Sequence, residues 1–264
     1  MIAIVTGGAS GIGAAVVRRI VSAGGRAGIL DLNGEAARSL AAELGPRACA
    51  AQCDVLDEAS LDDALASVEA QLGGEVDALV CCAGIPQVPR AIEDWPTAEF
   101  QRVVNSHLTG TYATCRVIGG RIAARGNGGA VVNISSVVGI NPGPVLAYGP
   151  AKAAVAALTQ ILAVQWAGRG VRVNAVAPGW TDTPFLRPKE RKGERDLSVI
   201  LRATPMNRLM SPVEVAEVIY FLLSPAASGM TGALVPCDGG VVAGAGWWPY
   251  GGFSAPTAQR EANR

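Results

Sequence analysis

A phenol and an ammonium group stand four residues apart in Tyr148-Gly149-Pro150-Ala151-Lys152, and two hydroxyls lie just upstream in Ser135-Ser136. Residues at i and i+4 share one face of a helix, so the lysine can approach the phenol across one turn. A nearby cation favours phenolate and draws a tyrosine down from its ordinary pKa of about 10, which suits Tyr148 to general acid/base work on a hydroxyl or carbonyl oxygen. A Tyr/Lys pair on a helix also occurs as ordinary surface or packing contact, so the pair alone does not define a site.

A second group of residues suits a nucleotide. The segment Thr6-Gly7-Gly8-Ala9-Ser10-Gly11-Ile12-Gly13 joins a strand-like run to a helical pattern. Glycines there let the backbone approach a pyrophosphate, and the following helix start offers unpaired N–H groups. The spacing departs from G-x-G-x-x-G, so a plain tight turn is the competing reading. Eighteen residues beyond Gly13, Gly28-Ile29-Leu30-Asp31 ends the next strand-like run. A carboxylate in that place accepts from ribose hydroxyls and repels a 2′-phosphate, which favours NAD over NADP; the alternative is a turn cap. Asp54-Val55 closes the third run, within reach of an adenine amino group or as a turn carboxylate.

Short β-branched runs near 2–6, 26–31, 48–54, 76–83, 129–135, 170–177 and 233–237 alternate with helical patterns over 12–24, 34–44, 58–72, 97–125, 147–168 and 212–223. That rhythm predicts an α/β fold with a parallel sheet, its apolar strands covered on both faces. Ser211-Pro212 reads as an N-cap followed by proline in the first helical turn. No linker or repeat divides the 264 residues, so one domain over 1–264 is expected, with a substrate loop or lid about 180–208 and an aromatic tail over 241–264. The segment 187–196 carries five cations and three anions, a net +2 that suits either a solvated lid or an anionic substrate. The tail's Trp247 to Phe253 is read as packing between subunits or as a cap on a neighbour's site.

Composition narrows the classes. With 22 basic and 22 acidic side chains, 50% hydrophobic and 17% charged residues, the chain is neither disordered nor a binder of nucleic acid through phosphate neutralisation. The 33 glycines exceed average usage of roughly 7% and call for local explanations. Six scattered cysteines lack CxxC or His-Cys spacing, so reduced core thiols and no metal are expected. Met1 leads straight into Ile2-Ala3-Ile4-Val5, and no apolar run approaches membrane length, which predicts a soluble, cytoplasmic protein without a membrane partner.

Taken in order, the glycine-rich turn, Asp31, Cys81-Cys82-Ala83-Gly84, Ser136, Tyr148-x3-Lys152, Pro178-Gly179 and Asp238-Gly239-Gly240 resemble the short-chain dehydrogenase/reductase family over residues 1 to about 240. The resemblance implies a single doubly wound, Rossmann-type domain with a seven-stranded parallel sheet, a nicotinamide cofactor, and a homotetramer or homodimer, the tetramer being favoured. Carried onto these positions, Tyr148 is the acid/base, Lys152 lowers its pKa and binds the nicotinamide ribose, and Ser136 bonds the substrate oxygen, with Ser135 as the competing assignment. Gly7, Ser10, Gly11, Ile12, Gly13, Asp31, Leu32, Asp54, Val55, Ala83, Gly84, Tyr148, Lys152, Pro178, Gly179, Trp180, Thr181 and Thr183 then bind the cofactor.

Two departures stand out. Cys81 and Cys82 replace the family's usual asparagines, so polar support between strands must come from elsewhere, because thiols bond weakly. His107, the only histidine, falls where the family usually has an asparagine that supports a proton path; its ordinary pKa near 6.5 would allow a pH-dependent relay, and a hydrogen-bonded core histidine is the alternative. The leading expectation is NAD-dependent interconversion of a secondary alcohol and a ketone, a small-molecule substrate. The alternatives are an NADPH-dependent 3-oxoacyl thioester (acyl carrier protein) reductase and a catalytically inactive nucleotide-binding scaffold.

Overall fold

The computed structural model describes residues 1–87, 89–186 and 196–250, without the side chains of 248–250. Seven parallel strands, β1 (Ile2–Thr6), β2 (Arg26–Asp31), β3 (Ala48–Gln52), β4 (Ala78–Cys81), β5 (Gly129–Ile134), β6 (Val171–Pro178) and β7 (Leu234–Cys237), form one sheet in the order β3-β2-β1-β4-β5-β6-β7. Helices α1 (Gly11–Ser22), α2 (Gly34–Leu44) and α9 (Pro212–Leu223) cover one face through Val16, Val17, Leu40 and Ile219. The other face carries α3 (Glu58–Leu72), α7 (Tyr148–Ala167) and the continuous helical run that begins with α4 (Thr97–Val104). Both strand faces are therefore buried, which is why the strands read as apolar runs and not as alternations.

The expected α4 region, 97–125, is one helical run with two π turns. After α4 come a π turn at Asn105–Thr109, α5 (Gly110–Thr114), a second π turn at Cys115–Gly119 and α6 (Gly120–Arg125). A π turn inserts a residue into the helical ladder and re-aims the side chains after it. The first such turn carries His107.

Strand and helix ends shift by a residue or two from expectation, with informative exceptions at β4 and in the glycine-rich turn. β4 stops at Cys81 because the next two backbone N–H groups leave the ladder: Cys82 N and Ala83 N both donate to Thr6 Oγ1, at 3.2 and 3.4 Å. Thr6 thereby supplies part of the polar support that the two cysteines cannot. Beneath them Cys81 Sγ lies 3.8 Å from Cys115 Sγ, and Asn133 on β5 accepts from Cys115 and donates to Thr159. Four cysteines are buried, while Cys82 and Cys237 are only half-buried.

The expected loop about 180–208 carries defined elements among its described residues. Thr181 pairs with Met210 as a parallel bridge, and α8 (Leu197–Arg202) is capped by Asp196, whose carboxylate accepts from Ser198 N at 2.8 Å. The charged run from Arg187 to Arg195 lies outside the described residues. Ser211 and Glu214 form a capping box at the start of α9, as the Ser-Pro signal predicted. In the tail, α10 (Val241–Gly244) and a 3-10 turn at Ala245–Tyr250 follow β7, and Trp247 is exposed; residues 251–264 lie outside the described residues.

Gly7, at φ +63°, turns the chain from β1 toward α1, and a Cβ at Gly13 would stand 2.1 Å from the Gly7 carbonyl oxygen. Gly13→Ala therefore overpacks backbone against backbone, with an expected loss of roughly 1–3 kcal/mol. Urea unfolding measures it, and an unchanged midpoint would contradict the close approach.

Candidate active site

The carboxyl ends of the strands open into a cavity of about 540 Å³ that runs from Asp31, Leu32, Asp54 and Val55 to Tyr148. It spans the reversal of strand order between β1 and β4, where open parallel sheets bind ligands. Gly7, Ser10, Gly11, Ile12, Ala83, Gly84, His107, Ser136, Lys152, Pro178, Gly179, Trp180, Thr181 and Thr183 all line it. Gly13, expected among the cofactor contacts, is not a lining residue. Its place is beneath the turn, where it lets α1 approach Gly7.

Several features of this cavity fit a nicotinamide dinucleotide. The start of α1 has no acidic residue in its first turn and no side-chain cap from Ser10, so its positive end is left to an anion. A Cβ at Gly7 would stand 2.8 Å from Ala83 Cα, so only glycine keeps this turn closed against the end of β4. Asp31 accepts from Ala9 N at 3.0 Å and Asn33 N at 2.9 Å. The turn-cap reading of Asp31 therefore holds together with a cavity-facing one, since each carboxylate oxygen has a further lone pair. Asp54 likewise accepts from Leu56 N at 2.9 Å while lining the cavity.

At the opposite end, successive residues of the extended chain point to opposite sides. Ser135 is fully buried and its Oγ donates to the Lys152 carbonyl at 2.8 Å, fastening β5 to α7. Ser136 lines the cavity with Tyr148, acting to lower the phenol's pKa, and accepts from Val138 N at 3.4 Å. The two serines are thus separated by geometry, with Ser136 the one at the phenol. Lys152 is 4% exposed, its Nζ donating to the Ile134 carbonyl at 2.7 Å and lying 5.7 Å from the centre of the Tyr148 ring.

Burial governs the ionisation of both groups. It pushes the Tyr148 phenol up to about 12, opposed by the Ser136 hydroxyl, and pulls the Lys152 ammonium down to about 8. The sequence predicts that Lys152 lowers the tyrosine; in the protein alone desolvation outweighs that effect, and the group acting downward is Ser136.

His107 is 2% exposed and packs edge-on against Tyr148, ring centroids 4.8 Å apart. A carbonyl only accepts, so the 2.8 Å contact with the Ile85 carbonyl fixes the proton on Nε2. Nδ1 is then a buried acceptor without a partner among the described residues. Burial, then Lys152, lowers its pKa to about 3. Burial therefore opposes a relay that depends on His107 titrating near 6.5 in the protein alone. A Cβ at Gly84 would meet the His107 ring at 2.2 Å, so this glycine is needed where the histidine is.

Sequence reasoning missed Gln87, Ile85, Val145 and Phe185 at the Tyr148 end, and Arg102 and Ser106 on the helical wall. The apolar ones carry no spacing signal, and Gln87 sits in an irregular Pro-Gln-Val-Pro stretch. Among the described residues no His/Cys/Asp/Glu group could hold a metal ion, and no helix is long and apolar enough to cross a membrane.

A family model described as Enoyl-(Acyl carrier protein) reductase matches residues 7–242. The chain is 39% identical to cis-4-hydroxycyclohexanecarboxylate dehydrogenase of Sinomonas cyclohexanicum, over 92% of this chain and 96% of that one. It is 38% identical to the L-tagatose-forming galactitol 2-dehydrogenase of Cereibacter sphaeroides, over 90% and 93%. This protein is a short-chain dehydrogenase/reductase. The structure of 3-ketoacyl-(acyl-carrier-protein) reductase from Brucella melitensis complexed with NADH superposes with a TM-score of 0.83 at 31% identity, covering 91% of this chain and 98% of that one. The family places the chain among oxidoreductases that use a nicotinamide cofactor and a small-molecule substrate.

The buried histidine makes a pH prediction. Unfolding lets His107 take up a proton below about 6.5 that the folded protein refuses down to about 3, so it removes stability as pH falls through that window. His107→Asn should flatten the acid limb of the stability curve by up to roughly 1.4 kcal/mol per pH unit. Denaturant unfolding between pH 3 and 7 reads this, and equal slopes in both proteins would contradict it.

Proposed function

We propose that the protein interconverts a secondary alcohol and a ketone with NAD as cofactor. The observation that carries this reading is the junction of Ser136, Tyr148 and Lys152 at one end of a cavity whose other end presents the Asp31 carboxylate. When bound, the nicotinamide supplies the hydride acceptor or donor.

In the oxidation direction Ser136 Oγ hydrogen-bonds the alcohol oxygen and Tyr148, as phenolate, takes its proton; in reduction the phenol returns it. Lys152, held by the Ile134 carbonyl, presents its remaining donors to the nicotinamide ribose and its charge to the phenol. Its lowered pKa makes that charge sensitive to pH near 8. His107 acts through the bare lone pair of Nδ1, which accepts from a water or donor of the proton path without becoming charged. Ala83, Gly84 and the Pro178-Gly179 turn, with Trp180, Thr181 and Thr183, complete the cofactor contacts.

Asp31 supports NAD, because its charge repels a 2′-phosphate; this weighs against an NADPH-dependent 3-oxoacyl thioester reductase. The similarity to cis-4-hydroxycyclohexanecarboxylate and galactitol dehydrogenases supports ring-bearing or polyhydroxy alcohols as the substrate class. Exposed Ile161 and Val164 on α7 and Tyr112 on α5 support a homo-oligomer.

Tyr148→Phe should lower kcat by about 10²–10⁴-fold at unchanged NAD affinity, the range for a lost general acid/base. A panel of cyclic alcohols and polyols followed by NADH absorbance tests this. Persistent turnover in the variant would remove Tyr148 from its role, and strong preference for NADPH would overturn the Asp31 argument.

A further inference from the structure

Gln87, on the segment that follows β4, has no role in the scheme above, yet its side chain is 5% exposed and lines the cavity. Its Oε1 accepts from two backbone amides at the start of the helix that carries the tyrosine, Ala147 N at 3.1 Å and Tyr148 N at 2.7 Å. That helix has no side-chain cap of its own from Ala147, and Pro150 in its first turn has no N–H. The cap is thus supplied from about sixty positions away in the chain. The other end of the amide is different: Nε2 is buried and has no partner among the described residues. Because Oε1 must accept from N–H groups, the amide cannot flip to satisfy Nε2. A buried donor with no acceptor is unfavourable and rare, and it points to an acceptor that arrives with a ligand. The residues that line the cavity with Gln87 include Ile85, Val138, Val145, Phe185 and Leu186, none of which has a polar side chain.

We infer that Gln87 is both a positioning residue for Tyr148 and a specificity-determining residue, its Nε2 donating to a second oxygen of the substrate. The proposal rests on the alcohol dehydrogenase reading and names its substrate more closely. Nε2 belongs to the amide that grips the backbone nitrogen of Tyr148, whereas the reacting oxygen meets the hydroxyl at the far end of the same side chain. The two substrate oxygens therefore meet different groups of the site, the reacting one at the phenol and the second at the amide beside the backbone of Tyr148. A compact alicyclic alcohol with an oxygen substituent across the ring fits: the apolar walls take its carbon frame and Gln87 takes the distal oxygen.

Two variants separate the two ends of the amide. Gln87→Glu keeps an acceptor for both backbone amides and loses the donor; Gln87→Met loses both. Hydrogen exchange at Ala147 and Tyr148 should rise at least tenfold in Gln87→Met and stay near the wild-type rate in Gln87→Glu. Unaltered exchange in Gln87→Met overturns the positioning role. For specificity, kcat/KM with NAD is compared between 4-hydroxycyclohexanone, whose distal oxygen only accepts, and 4-methylcyclohexanol, similar in shape but without that oxygen. The wild-type preference for the hydroxyketone should fall about 10–100-fold in both variants, the loss expected when a buried donor to a substrate oxygen is removed. An equal preference in wild type and variants overturns the specificity role, and Gln87→Glu alone decides it if Gln87→Met does not fold. Failure of the wild type to oxidise any alcohol overturns the functional reading and the substrate assignment with it, while the exchange experiment still decides the positioning role.

Discussion

Lys152 fastens α7 to the sheet at both of its polar ends. Its Nζ donates to the Ile134 carbonyl at the end of β5, and its own carbonyl accepts from Ser135 Oγ one residue further on. These two bonds set the rotation and height of α7 against β5, and so place Tyr148 opposite Ser136. Gly139 makes the same contact possible, since a Cβ there would stand 2.8 Å from the Lys152 backbone. Gln87 holds the first turn from the other side. A site assembled from β4, β5 and α7 is rigid because the same hydrogen bonds that orient it also complete the fold.

The cost of this arrangement is desolvation. One apolar enclosure raises the phenol, lowers the ammonium and lowers the imidazole, each toward its neutral form. The three groups are close enough to act together and dry enough that their mutual fields are strong. The neutral His107, with its proton fixed on Nε2, leaves a lone pair where a titrating histidine would have left a charge.

Much of this was legible in the chain. Apolar runs alternating with helical periods gave the parallel sheet, because both faces of each strand are covered; the glycine-rich turn and Tyr148-x3-Lys152 located the two ends of the cavity. The distinction between Ser135 and Ser136 was open in the sequence, although the opposite facing of adjacent strand residues contains the answer once the end of β5 is known. Other features depend on contacts that no local pattern encodes. The π turn beneath His107 follows an ordinary helical period, the support of β4 by Thr6 joins residues 76 positions apart, and Gln87 meets α7 across 61. Gly13 shows the converse: its type was noticed for a ligand, and its reason is the Gly7 carbonyl beneath.

The central claim is that burial, not the neighbouring lysine, sets the ionisation of Tyr148 in the protein without cofactor. Ultraviolet difference titration of tyrosinate, wild type against Tyr148→Phe, measures that group directly. The expected result is no tyrosinate signal from Tyr148 until the pH approaches about 12. A Tyr148 signal that appears near pH 8 would show that Lys152 dominates and would contradict the account.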